Sequence, residues 1–240
     1  LTPSHGYVEV DGLRYDNNRL TKKIHQKICA FPFENELFGE LSGYEHLKLY
    51  KNMWQSRRAI DELIDALKMQ TYISQKVGTY SLGMKQRLCF AMVVVSDASM
   101  MLLDEAMNGL DPENVALISS QIQQLRESGK LVIMVSHLLD NLQMLADRVL
   151  FLRAGKVVKD LNMHEQQNNF LKMRLEPPLV ASINKDAVLD AYQNQALIDL
   201  TKLDYATRKS LVLELMTNDI PYSIAPLSLV DEFRLTFQRQ

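Results

Sequence analysis

Cysteine is scarce in this chain. Cys29 and Cys89 are its two, far apart in sequence. That excludes a disulfide framework or a cysteine-based zinc site and fits a reduced, cytosolic setting. An excess of charge of one sign is also missing. There are 27 Lys and Arg against 29 Asp and Glu, a net charge of −2, so no nucleic-acid partner held through phosphate contacts is expected. Long hydrophobic runs are missing too. The longest, residues 88–95, falls well short of the roughly 18 residues that signal a membrane span, and the first residues show no signal-peptide pattern. Any membrane role is therefore expected to come through a partner. One motif is also absent: no stretch fits G-x-x-x-x-G-K-[ST], the loop whose backbone amides cradle phosphates. The two Gly-Lys pairs, Gly129-Lys130 and Gly155-Lys156, are followed by Leu131 and Val157, not by Ser or Thr.

What is present has the balance of a globular protein, 47% hydrophobic and 23% charged, with length for one large domain or two small ones. The chain opens on Leu1, reads at once like mid-domain sequence, and so leads to the expectation of an N-terminal truncation. Residues 8–15 alternate around Asp11-Gly12 and predict a hairpin. Residues 28–33 form a short apolar strand that Pro32 places at an edge or an end. Helical spacing over 44–67 makes 34–79 a small helical subdomain, and Ser81 caps a helix reaching about Val95. A strand over 100–103, a helix over 113–127, a strand over 131–135, a helix over 138–146 and a strand over 148–152 follow, then a hairpin around Ala154-Gly155. This alternation predicts an α/β fold whose parallel sheet is covered on both faces. Residues 161–169 are polar and read as a linker. Beyond them, strands over 171–175, 196–200 and 222–225 and helices over 205–216 and 229–237 predict a small α+β appendage. The expected division is thus 1–160 and 161–240.

Four polar motifs occur in order between residues 80 and 137. Asp104-Glu105 ends an apolar strand, Met100-Met101-Leu102-Leu103, at the carboxyl edge where open α/β sheets bind ligands. An Asp there can hold Mg²⁺ through water, and a Glu beside it can take a proton from an attacking water. The plain alternative is that strands often end in acids. His137, one helix and one strand later, should end a strand near that of Glu105, where an imidazole could contact a γ-phosphate; a lone His is more often a surface or satisfied residue. Ser81-Leu82-Gly83 opens a helix whose free N–H groups suit an anion, although a simple cap is the commoner use of such a Ser. Lys85, Gln86 and Arg87 read equally well as a solvated helix face. Asn108-Gly109-Leu110-Asp111-Pro112 is a turn into a helix, with Asp111 as cap and Pro112 at its first position.

The ordered set resembles the nucleotide-binding subunits of ATP-binding cassette (ABC) transporters. Residues 80–87, Tyr-Ser-Leu-Gly-Met-Lys-Gln-Arg, are similar to that family's signature sequence. Asp104-Glu105 resembles its Walker B pair, Asn108 to Asp111 its D-loop, and His137 its switch histidine. The residues 6–12 resemble the strand pair after the phosphate loop. The spelling of the signature, and the segment 220–237, resemble the branch exporting drugs, antimicrobial peptides or lipids. The resemblance implies a P-loop NTPase-like core, ATP and Mg²⁺ as cofactors, a separate multi-span permease and a second ATPase subunit as partners, and a place on the cytoplasmic face of the membrane. It implies Glu105 as base, Asp104 as the magnesium residue, His137 at the γ-phosphate, Ser81, Gly83 and Met84 on the nucleotide of the partner subunit, and Asp111 as a link between the two sites.

Three departures stand out. The phosphate loop is absent. Phe33, in Ala30-Phe31-Pro32-Phe33-Glu34, stands where the family's Q-loop glutamine is expected. Ala106-Met107 replaces the usual Pro-Thr, from which a looser turn is expected. Two other readings stay open: a degenerate, non-hydrolysing regulatory cassette, and a non-transport cassette ATPase.

Overall fold

The computed structural model describes residues 5–15, 18–165, 169–192 and 194–237. The chain forms two compact units, Leu1–Leu138 and Leu139–Gln240. This division falls upstream of the expected linker, whose residues 166–168 lie outside the described residues.

The first unit opens with β1 (Glu9–Val10) and β2 (Leu13–Arg14), an antiparallel pair. Asp11 and Gly12 both have positive φ, 49° and 73°, as a two-residue turn matched to strand twist requires. Then come α1 (Asn18–His25) and β3 (Ile28–Ala30). β3 ends before Pro32, which has no N–H to give a ladder. The helices expected within 34–79 are α2 (Gly43–Met53) and α3 (Ile60–Ala66). The remaining elements are α4 (Leu82–Val95), β4 (Met100–Asp104), α5 (Pro112–Glu127) and β5 (Leu131–Val135).

β3, β4 and β5 form a parallel sheet in that order, with Cys29 opposite Met101 and Leu103 opposite Met134. The apolar run at 88–95 is the last part of α4, buried on every side, as a helix hydrophobic all round must be. It packs against α2, α3 and α5. Burial pushes the Cys29 thiol up to about 11 and the Cys89 thiol up to about 12, so both behave as small apolar side chains. One expectation fails. Leu131, Ile133 and Val135 share a face of β5 and are 50%, 46% and 59% exposed, so the sheet is not covered on both faces by the described residues. The continuous apolar run of β5 reads as a doubly buried strand, but pattern alone does not say what supplies the cover.

α2 starts with a reciprocal cap. Ser42 Oγ accepts from the Glu45 N–H at 3.3 Å, and the Ser42 N–H donates to Glu45 Oε2 at 2.7 Å. Donation from the Ser42 N–H, and then from the Ser42 hydroxyl at 2.7 Å, holds the Glu45 carboxyl below its ordinary range. Ser42→Ala is expected to cost about 1 kcal/mol, read as a lower urea midpoint; an unchanged midpoint would show the cap to be redundant.

The second unit holds α6 (Leu139–Leu145) and the hairpin of β6 (Arg148–Arg153) and β7 (Lys156–Asn162). Ala154 and Gly155 turn this hairpin at positive φ. There follow β8 (Phe170–Arg174), α7 (Pro177–Ser182), β9 (Val188–Tyr192), β10 (Gln195–Asp199), α8 (Tyr205–Thr217), β11 (Tyr222–Ala225) and α9 (Leu229–Phe237). The four strands form an antiparallel sheet in the order β11-β8-β10-β9. Leu171, Met173, Ala196 and Ile198 on one face join Leu211 and Leu215 of α8 in a buried cluster. α9 meets the other face, where Asp231 pairs with Lys172 and Arg234 with Asp190. Phe233 and Phe237 of α9 also pack on Phe151 of the hairpin.

Candidate functional site

Two parallel strands deliver the acidic pair and the histidine to one place. Asp104, the last residue of β4, lies opposite Val135, the last of β5, so the segments leaving both strands run side by side. The Glu105 N–H donates to the Val135 carbonyl at 2.9 Å. Glu105 Oε1 is 2.9 Å from His137 Nδ1. The other carboxylate oxygen of Glu105, Oε2, is buried with no hydrogen-bond partner, while Asp104 is exposed at the strand end. A buried acceptor left without a donor is costly and is the kind of exception that marks a working site.

The turn after Glu105 is not loose. Glu105 has φ 50°, a left-handed conformation that a side chain with a Cβ adopts only at a cost and that recurs at functional sites. The Asn108 N–H closes the turn on the Glu105 carbonyl at 3.0 Å, and Ala106 and Met107 are both buried. Burial of two apolar side chains does here what a proline would do through its ring.

The helix-start motif lies beside the loop at 108–111. Ser81 caps α4 by accepting from the Met84 N–H at 3.3 Å. A Cβ placed on Gly83 would meet Leu110 Cδ2 at 3.7 Å and Asn114 Nδ2 at 3.9 Å, ordinary contacts, so the chain's own packing does not require glycine there. Gln86 and Arg87 are not a solvated face. Gln86 is buried, and its Nε2 donates to the Asn108 carbonyl at 2.7 Å. Arg87 donates to the Leu67 and Lys68 carbonyls at 3.1 and 3.2 Å and to Asn114 Oδ1. Asn114 in turn bonds Asp111, which caps α5 through the Asn114 N–H at 2.9 Å. That backbone bond is the main reason the Asp111 carboxyl sits below its ordinary range. Phe33 is 61% exposed, its ring solvent-facing.

Residues 1–108 match the family model described as ABC transporter. The uncharacterized ABC transporter ATP-binding protein YhcH of Bacillus subtilis (strain 168) is 32% identical over 219 residues, which is 88% of this chain and 72% of that protein. The chain belongs to the ABC transporter ATP-binding protein family. Among further ABC relatives, the bacitracin transport ATP-binding protein BcrA of Enterococcus faecalis is 28% identical over 166 residues, 68% of this chain and 53% of BcrA, so the chain spans about half of BcrA's length. A dimeric ATP-binding cassette solved in a post-hydrolysis state with ADP and Pi shares the fold, with TM-score 0.59 at 20% identity over 68% of this chain and 75% of that one. The ABC fold accounts for the order of elements: an α/β, P-loop NTPase-like parallel core with helices set between the strands.

The geometry of this ABC chain brings Glu105 and His137 into contact and sets 81–87 against 108–114. Asn114 of that arrangement has no mark in the sequence, and Gln86 and Asn108, though they stand within the two motifs, have no mark there of the bond that joins them. A polar residue at a helix position facing the body of the protein is the trace that could have found Gln86, two positions before the apolar run. Among the described residues no helix is long and apolar enough to cross a membrane.

Proposed function

We propose that this chain is an ATP-binding and ATP-hydrolysing subunit of an ABC exporter, paired with a second ATPase subunit and coupled to a separate multi-span permease at the cytoplasmic face of the membrane. The observation that carries the reading is the contact of His137 with Glu105 at the carboxyl ends of two parallel strands, beside an exposed Asp104. Glu105 is the base: its buried, unpartnered Oε2 has room for one new bond to a water that attacks phosphorus in line. His137 orients the carboxylate and lies where a terminal phosphate would face it. Among the described residues no three metal-ligating side chains cluster. That fits a magnesium ion held by a single carboxylate, Asp104, through water, and otherwise by phosphates. When bound, such an ion would neutralise charge on the phosphate oxygens.

Ser81, Gly83 and Met84 at the start of α4 meet the nucleotide held by the opposite subunit, as a helix N-terminus meets an anion. The steric indifference of the chain itself to a Cβ at Gly83 supports this, since it leaves the need for glycine to something outside the chain. Asp111, fixed as the cap of α5, links the two sites of the dimer. No G-x-x-x-x-G-K-[ST] loop occurs within these 240 residues, so the sites named here are those of the water, the magnesium carboxylate and the helix start. Names of relatives such as the bacitracin transport protein BcrA support an exporter of antimicrobial peptides or similar amphiphiles.

Phe33 favours a second reading, a cassette that binds nucleotide and regulates a partner without turnover. Its exposed ring offers no polar atom to a cation or a water. The test is steady-state phosphate release by the transporter assembled in vesicles. Turnover stimulated by the transported substrate supports the first reading, and nucleotide binding with no turnover supports the second.

A further inference from the structure

We propose that Asn108 is a positioning residue that fixes the tautomer of His137, with Gln86 holding Asn108 in place. The proposal rests on the reading of Glu105 and His137 as the hydrolytic pair, and adds a residue that reading does not use. Asn108 Nδ2 lies 3.3 Å from His137 Nε2, and His137 Nδ1 lies 2.9 Å from Glu105 Oε1. An ionised carboxylate only accepts, and a side-chain amide nitrogen only donates. Both contacts are therefore satisfied together in one state of the ring: the neutral imidazole with its hydrogen on Nδ1, given to Glu105, and its lone pair on Nε2, accepting from Asn108. The partner on one ring nitrogen decides which nitrogen carries the hydrogen, as outer partners do for metal-bound histidines.

Asn108 is itself held from two sides. Its N–H bonds the Glu105 carbonyl at 3.0 Å. Its carbonyl accepts from the buried Gln86 at 2.7 Å, and Gln86 Oε1 is buried without a partner. A buried amide that satisfies only one of its two ends is retained at a cost, which singles out the end that holds Asn108. The chain of bonds runs from α4, the helix at the opposite subunit's nucleotide, through Asn108 to the water-activating pair of this subunit.

The test is ¹⁵N spectroscopy of the histidine rings in this chain, with the His137 signals assigned by loss in His137→Gln. A ring nitrogen bearing hydrogen resonates far from one bearing a lone pair. The expected wild-type pattern has hydrogen on Nδ1. In Asn108→Ala the Nε2 signal moves toward the hydrogen-bearing position. In Asn108→Asp, where an acceptor replaces the donor, Nε2 takes a hydrogen. A wild-type ring with hydrogen on Nε2, or His137 signals unchanged in both variants, would overturn the proposal. In the assembled transporter Asn108→Asp is expected to lower kcat about 10-fold with KM unchanged; an unchanged kcat would also count against it. If Glu105 and His137 are not the hydrolytic pair, Glu105→Gln leaves turnover intact while the ring signals still respond to Asn108, so the two failures are distinguishable.

Discussion

Glu105→Gln is expected to cut ATP turnover by the assembled transporter by about 10²- to 10⁴-fold while leaving ATP affinity intact. The amide keeps the shape of the side chain and can still accept from His137 Nδ1, now 2.9 Å from Oε1, but it cannot take up a proton. The expected loss is the usual contribution of a positioned general base. Binding should survive because the role proposed for the carboxylate is toward the attacking water and not in gripping the nucleotide. The measurement pairs phosphate release with nucleotide affinity by calorimetry on the same preparation. Retained turnover would remove Glu105 from the role of base, whatever else the site does. Loss of binding together with turnover would mean that the carboxylate holds the turn at 105–108 and not the water.

The second large effect is structural. Phe90 is fully buried in α4, the helix packed against α2, α3 and α5. Phe90→Ala removes a ring from a close-packed interior that relaxes only in part, at a cost of about 3–5 kcal/mol. Set against a typical domain stability of about 5–15 kcal/mol, that leaves the first unit marginal. Urea unfolding should show a lower midpoint with an unchanged slope, the mark of lost stability without a changed unfolded state. A loss below about 1 kcal/mol would mean that the ring lies in a loosely filled space.

Much of the core was legible because its signals are local. The apolar strands ending at Asp104 and Val135 announce themselves by composition, and Ser81 and Asp111 by the need of a helix start for an acceptor. From these, the meeting of Glu105 and His137 follows by topology. Elements whose stability comes from their surroundings were missed. α1 reads NRLTKKIH, too polar to show a buried stripe, and α7 is a short turn behind two prolines. β9 pairs with β10 through a bulge, which breaks the alternation that marks a strand. Gln86 looks like a surface residue until the turn at Asn108 is folded over it. The left-handed backbone of Glu105 has no sequence mark, since glycine, the usual occupant of such a position, is absent.

That conformation has a consequence for anyone evolving this protein. Glycine at 105 would relieve a backbone cost of about 1–2 kcal/mol and discard the carboxylate in the same step. With Glu105 in the role of base proposed above, a selection scored on thermal tolerance alone pulls against activity at this residue, and only a screen that also demands turnover will keep the glutamate.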